Sequence, residues 1–97
     1  MVTCISLVNF TQKGIENVKD SPKRLKRIKK AIKAEGGWVK AFFLTMGRYD
    51  AVYIIEAKND ETVAKIMLTL GSAGNIKTET LKAFNEEEFV KIIASIS

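Results

Sequence analysis

Three segments of this chain are apolar at both of their alternating positions: Val2–Phe10, Trp38–Met46 and Ala51–Ala57. Successive side chains of a strand point to opposite faces, so a strand wetted on one side should alternate. Cys4, Val8 and Phe10 stand on one side of the first segment and Ile5 and Leu7 on the other. In the second, Trp38, Phe42 and Leu44 oppose Val39, Ala41 and Phe43. In the third, Val52 and Ile54 oppose Ala51, Tyr53 and Ile55. These strands need cover on both faces.

The remaining periodicities are helical. Thr11–Lys19 reads as a turn or two of helix with Thr11 as cap. Ser21 and Pro22 are suited to N-cap and N1 of a second helix. Leu25, Ile28 and Ile32 give that helix its stripe, and Gly36-Gly37 ends it. Asn59-Asp60-Glu61 opens a third, with Val63, Ile66, Met67 and Leu70 inward, closed by Gly71–Gly74. Asn75–Phe84 alternates more weakly and reads as an edge strand. Asn85 caps a last helix, Glu86–Ile96, with Phe89, Ile92, Ile93 and Ile96 expected inward. Gly47–Asp50 is short enough to make its flanking strands an antiparallel hairpin. The order is β-α-β-β-α-β plus a C-terminal helix. It specifies an α+β, ferredoxin-like single domain over residues 1–97, with two helices on one face of a four-stranded antiparallel sheet.

In that fold the helices cover one face only, so the apolar opposite face calls for a second copy of the chain and predicts a homodimer or larger homo-oligomer. Lys40, Phe42, Tyr49, Asp50, Tyr53, Thr78 and Thr80 are candidate ligand-binding residues for a cleft between two such sheets, with Glu56 and Lys82 beside them. Which of them face it depends on the strand register.

At 97 residues, 46% hydrophobic and 28% charged, the chain has a globular composition. It contains no histidine, which excludes His-based catalysis and His-ligated haem. One cysteine, Cys4, excludes an intrachain disulfide and a Cys-x-x-Cys metal site, and reads as a small buried hydrophobe. Glu86-Glu87-Glu88 reads as a helix start and not a metal site. The sequence calls for no metal and no cofactor. It shows no signal pattern and no membrane-length apolar run, so the expected compartment is the cytoplasm.

Net charge is +5, yet Lys23, Arg24, Lys26, Arg27, Lys29, Lys30 and Lys33 carry seven positive charges with no acid among them, and the remainder of the chain sums to −2. That helix is either a solvated face or a surface for an anionic partner. RNA recognition of the type sharing this fold needs aromatic residues on the third strand with basic and glycine neighbours. Phe42 and Phe43 lie on the second without them. Gly71-Ser72-Ala73-Gly74 follows a helix and opens none, so it is no phosphate loop.

The hairpin turn reads Met46-Gly47-Arg48-Tyr49-Asp50-Ala51-Val52. It resembles the GYD domain family, known by a Gly-x-Tyr-Asp motif. Asp20-Ser21-Pro22, Glu35-Gly36-Gly37, Gly74–Thr80 and Ala83-Phe84 fit the same family in order and spacing, over nearly the whole chain. The resemblance implies a dimeric α+β barrel of uncharacterised function. Within the motif, Gly47 can supply a positive φ, Asp50 can accept backbone hydrogen bonds, and the Tyr49 hydroxyl can reach a neighbouring element. Three functions follow from these readings. The first is a binding or sensing module for a small apolar or aromatic molecule. The second, by fold analogy alone, is a cofactor-independent monooxygenase or isomerase with Asp50 and Tyr49 as catalytic candidates. The third is a protein that binds an anionic partner or nucleic acid through residues 23–33.

Overall fold

A computed structural model describes all 97 residues, Met1–Ser97. Strand β1 (Val2–Phe10) is followed by a short helix α1 (Gln12–Glu16) and a single 3₁₀ turn at Val18–Asp20. Helix α2 (Ser21–Ala34), strands β2 (Trp38–Leu44) and β3 (Ala51–Ala57), helix α3 (Asp60–Ser72), strand β4 (Ile76–Ala83) and helix α4 (Glu86–Ala94) complete the chain. The sheet is fully antiparallel in the order β2-β3-β1-β4, the ferredoxin-like topology, with β1 and β3 central.

The helix caps follow local chemistry, with one exception. Thr11 accepts from the Gly14 N–H, Asn59 from the Thr62 N–H, and Asn85 from the Glu88 N–H. Glu88 returns a bond to the Asn85 N–H, completing a reciprocal capping box. Ser21 is not the cap of α2. The helix includes it, Asp20 stands at the cap position without a side-chain bond, and the Ser21 hydroxyl accepts from Arg24 at 3.0 Å.

The sheet's two faces differ. Cys4, Ser6 and Val8 of β1 and Ala51, Tyr53, Ile55 and Ala57 of β3 are buried toward the helices. Ile32 of α2 and Ile66 and Leu70 of α3 close over them. Full burial of a side chain such as Ile32 or Ile55 contributes roughly 1.5–3 kcal/mol. Gly14 in α1 is forced by contact, because a Cβ there would lie 2.0 Å from the Asn75 carbonyl oxygen.

Two expectations about apolar stripes are corrected. A β-bulge between Val39 and Ala41 inserts Lys40 as an extra residue, which shifts the alternation of β2. Phe42 pairs with Tyr53 and Leu44 with Ala51 on the helix side, joined there by Val39 opposite Ile55. Trp38, Ala41 and Phe43 share the open side instead. The second correction concerns α4. Phe89, Ile92, Ile93 and Ile96 do not face inward; they remain 43–69% exposed, because α4 projects from the end of β4 and rests on no other element. The molecule is accordingly elongated, 53 × 31 × 18 Å, with a radius of gyration of 14.6 Å against about 12.5 Å for a compact chain this long.

Candidate functional site

The hairpin turn is a fastener across the sheet. Gly47 sits at φ +134°, a conformation open to glycine. The Thr45 hydroxyl donates to the Tyr49 carbonyl at 2.7 Å, and the Thr45 N–H to the Asp50 carbonyl at 2.9 Å. Asp50 then binds β1 twice. Its N–H donates to the Val8 carbonyl at 2.8 Å, and its carboxylate accepts the Phe10 N–H at 2.9 Å. The acceptor role expected of Asp50 is therefore played toward β1. From the same turn the Tyr49 hydroxyl donates to the Glu79 carboxylate of β4 at 2.5 Å. That bond holds the phenol above its ordinary range, because ionising it would place two negative charges together.

On the helix-free face, opposed residues form three rows. Phe43, Val52, Leu7 and Glu79 make the first; Ala41, Ile54, Ile5 and Leu81 the second; Trp38, Glu56, Thr3 and Ala83 the third. The middle row is wholly apolar. Trp38, Phe43 and Leu81 are 44%, 57% and 47% exposed. Glu56 is paired by Lys40 at 3.2 Å, so the bulge residue neutralises the acid of the third row.

On the other face, the helices leave two openings. One, about 380 Å³, lies between α2 and the sheet, with Phe42 and Tyr53 among its walls. Their rings stack at 5.0 Å between centroids, tilted by 60°. Burial pushes the Tyr53 phenol up, and the nearby Arg24 charge opposes that shift. The second, about 550 Å³ and wider at its mouth, lies between α3 and the edge strand β4. Thr78, Thr80 and Cys4 line it, with the Lys82–Asp60 pair at 3.0 Å. The Ser6 hydroxyl lies 3.3 Å from that of Thr80 and donates to the Met67 sulfur at 3.4 Å. Cys4 is 2% exposed, and burial raises its thiol above its ordinary value.

The seven candidate ligand residues thus fall into four places. Phe42 and Tyr53 meet beneath α2, and Thr78 and Thr80 beside α3. Tyr49 and Asp50 hold the turn, and Lys40 is the bulge. The register sends Thr78, Thr80 and Lys82 to the helix side, and Glu56 to the open side. Arg24, which lines the α2 cavity, is a ligand candidate that sequence reasoning misses, because its signal is hidden in the basic run. It differs from its neighbours in being only partly exposed and tethered, donating to the Asn17 carbonyl at 2.9 Å. Lys23, Lys26, Arg27, Lys29, Lys30 and Lys33 are exposed.

A ferredoxin-like protomer with one apolar sheet face uncovered and a tyrosine–aspartate hairpin pinned over its central strand defines a class of small α+β domains. Within that class the chain belongs to the GYD domain family, whose model matches residues 4–93. It is 38% identical over 84 residues to a glutamine synthetase and cystathionine beta-lyase binding protein from Thermus thermophilus, a match spanning 86% of this chain and 88% of that one. Among solved structures, a feast or famine regulatory protein from M. tuberculosis complexed with L-methionine superimposes with a TM-score of 0.67 at 14% identity. That match covers 88% of this chain and 51% of the regulator, so this chain corresponds to about half its length. A crystal structure of a second Thermus thermophilus protein chain superimposes with a TM-score of 0.57 at 23% identity, covering 88% of this chain and 95% of that one. The two superpositions agree with the fold. No helix of the protein is long and apolar enough to cross a membrane.

Proposed function

We propose that this protein is a self-associating binding module that acts by holding other molecules, and that its open sheet face is the surface through which copies assemble. The observation that carries this reading is the set of apolar rows on that face, with the wholly apolar middle row at its centre. Area supports it. The protomer exposes 6828 Å², whereas a compact monomer of 10.8 kDa exposes about 5,500 Å². The excess exceeds the roughly 800 Å² per partner that a standard interface buries. The apolar stripe of α4 adds to the surface in need of cover.

The Thermus relative's name supports the next step, a regulatory role exercised by docking onto enzymes. The exposed cations of α2 lie on the opposite side of the molecule from the open face and form no ion pair within the protein, which suits them to an acidic protein surface. A catalytic role for Asp50 and Tyr49 is less well supported, since the Asp50 carboxylate holds β1 and the Tyr49 hydroxyl holds Glu79.

Sedimentation tests the assembly: the reading expects dimers or larger, and a stable lone protomer at micromolar concentration overturns it. Titration with purified glutamine synthetase from the source organism tests the partner. The expected result is a complex that weakens with salt and is lost when Lys26, Arg27 and Lys30 are reversed to Glu. No complex at low salt removes the enzyme-docking step and leaves the assembly standing.

A further inference from the structure

The cavity beneath α2 has features that assembly through the open face does not use. Tyr53 is only 5% exposed, and its hydroxyl hydrogen-bonds to no other group of the protein. Every fully enclosed side-chain nitrogen or oxygen has a partner, so the Tyr53 oxygen retains free surface, and the cavity that Tyr53 lines is this one. A buried phenol ordinarily finds a partner, because leaving its hydroxyl unpaired costs free energy. Arg24 lines the same cavity. Its guanidinium donates to the Asn17 carbonyl at 2.9 Å, the Ser21 hydroxyl at 3.0 Å and the Gly14 carbonyl at 3.4 Å. All three acceptors are neutral and no carboxylate pairs with it, so its charge stands uncompensated. Five N–H groups less those three leave donors to spare. The remaining walls are apolar, among them Phe10, Leu25, Ile28, Phe42 and Leu44.

From this pairing of a free buried hydroxyl and an unpaired cation at an apolar cavity, we propose that the space beneath α2 is a binding site for a small apolar carboxylate. The alkyl or aryl portion fills the apolar lobe. The carboxylate accepts from the Tyr53 hydroxyl and from the free N–H groups of Arg24. At about 380 Å³ the cavity lies within the range of small-molecule pockets. The positive field of α2 draws such an anion toward its mouth and disfavours a cation. The inference goes beyond the self-associating module and does not require it, since the site and the open sheet face lie on opposite sides of the sheet.

Calorimetric titration of the full chain with decanoate tests it, with decanol as the neutral counterpart and acetate as the head without a chain. Decanoate is expected to bind about tenfold or more tighter than decanol, and acetate not measurably, since a charge-assisted bond is worth roughly one order of magnitude in affinity. Tyr53→Phe keeps the ring and should weaken decanoate about fivefold or more. Arg24→Gln should erase its preference over decanol, and Arg24→Lys should restore part of it. Amide shifts on binding should centre on Phe42, Tyr53 and Ile28, away from Ile5, Phe43 and Ile54. Equal binding of decanoate and decanol, affinity unchanged in both variants, shifts on the open face, or no binding at millimolar decanoate each overturn the site. Circular dichroism establishes that the variants fold. Sedimentation of the same samples reads assembly separately, so loss of the site with assembly intact counts against this inference alone.

Discussion

The Asp50 carboxylate accepts the backbone N–H of Phe10 at 2.9 Å, tying the hairpin turn to the last residue of β1. This is a charge-assisted bond to a strand-end donor that would otherwise have to find water. Asp50→Ala should therefore destabilise the fold by about 1.5–3 kcal/mol in denaturant unfolding. Asp50→Asn, which keeps an acceptor oxygen, should cost less than half of that. An Asp50→Ala variant as stable as the parent would refute the structural role.

Gly14 faces a different constraint. A methyl group there would meet the Asn75 carbonyl oxygen at 2.0 Å, and that oxygen also receives the Thr11 N–H at 3.0 Å. Gly14→Ala must therefore push α1 off the start of β4. Despite the helix propensity gained, the midpoint of thermal unfolding should fall, with a cost of about 1–3 kcal/mol as in overpacked cores.

Phe43 is more than half exposed on the open face and opposes Val52. Phe43→Lys should leave the protomer fold within about 0.5 kcal/mol, as is usual for surface sites. It should shift the sedimentation profile toward the protomer by at least about tenfold in dissociation constant, since a charge would be carried into an apolar interface. An unchanged profile would place the contact elsewhere.

Alkaline pH should destabilise the fold, and the sign follows from burial. Cys4 and Tyr53 are both held above their ordinary pKa values by desolvation. The unfolded chain therefore releases those protons first as pH rises. Stability should be flat with respect to these two groups below about pH 8, then fall as pH climbs past the unfolded thiol and phenol values near 8.5 and 10. Cys4→Ala should remove the earlier part of the fall and Tyr53→Phe the later. A double variant that retains the whole decline would assign it to other groups.

Much of the fold is legible in the sequence because its signals are local. Thr11, Asn59 and Asn85 announce their helices by capping chemistry that depends on the next few residues alone. The alternation of β1 and β3 needs no partner to be read. Lys40 is not legible as a bulge: one inserted residue leaves composition untouched, yet it turns Trp38 outward and Phe42 inward. The four-way scatter of the candidate ligand residues has the same origin. Phe42, Tyr53, Thr78 and Thr80 can be chosen for their chemistry, but only pairing decides which face each takes. Arg24 is hidden as a ligand residue because, among seven similar cations, only its tether to Asn17 and Ser21 distinguishes it. The greasy stripe of α4 is visible, but nothing within the chain lies against it.

That last helix has a practical corollary. A nine-residue helix standing free in water is barely stable, however well its first turn is capped. The backbone order of Glu86–Ala94 should consequently rise and fall with whatever comes to lie on Phe89, Ile92 and Ile93. Cleavage by a dilute protease at this segment, or the speed at which its amides exchange with deuterium, therefore offers a built-in gauge of occupancy that needs no label.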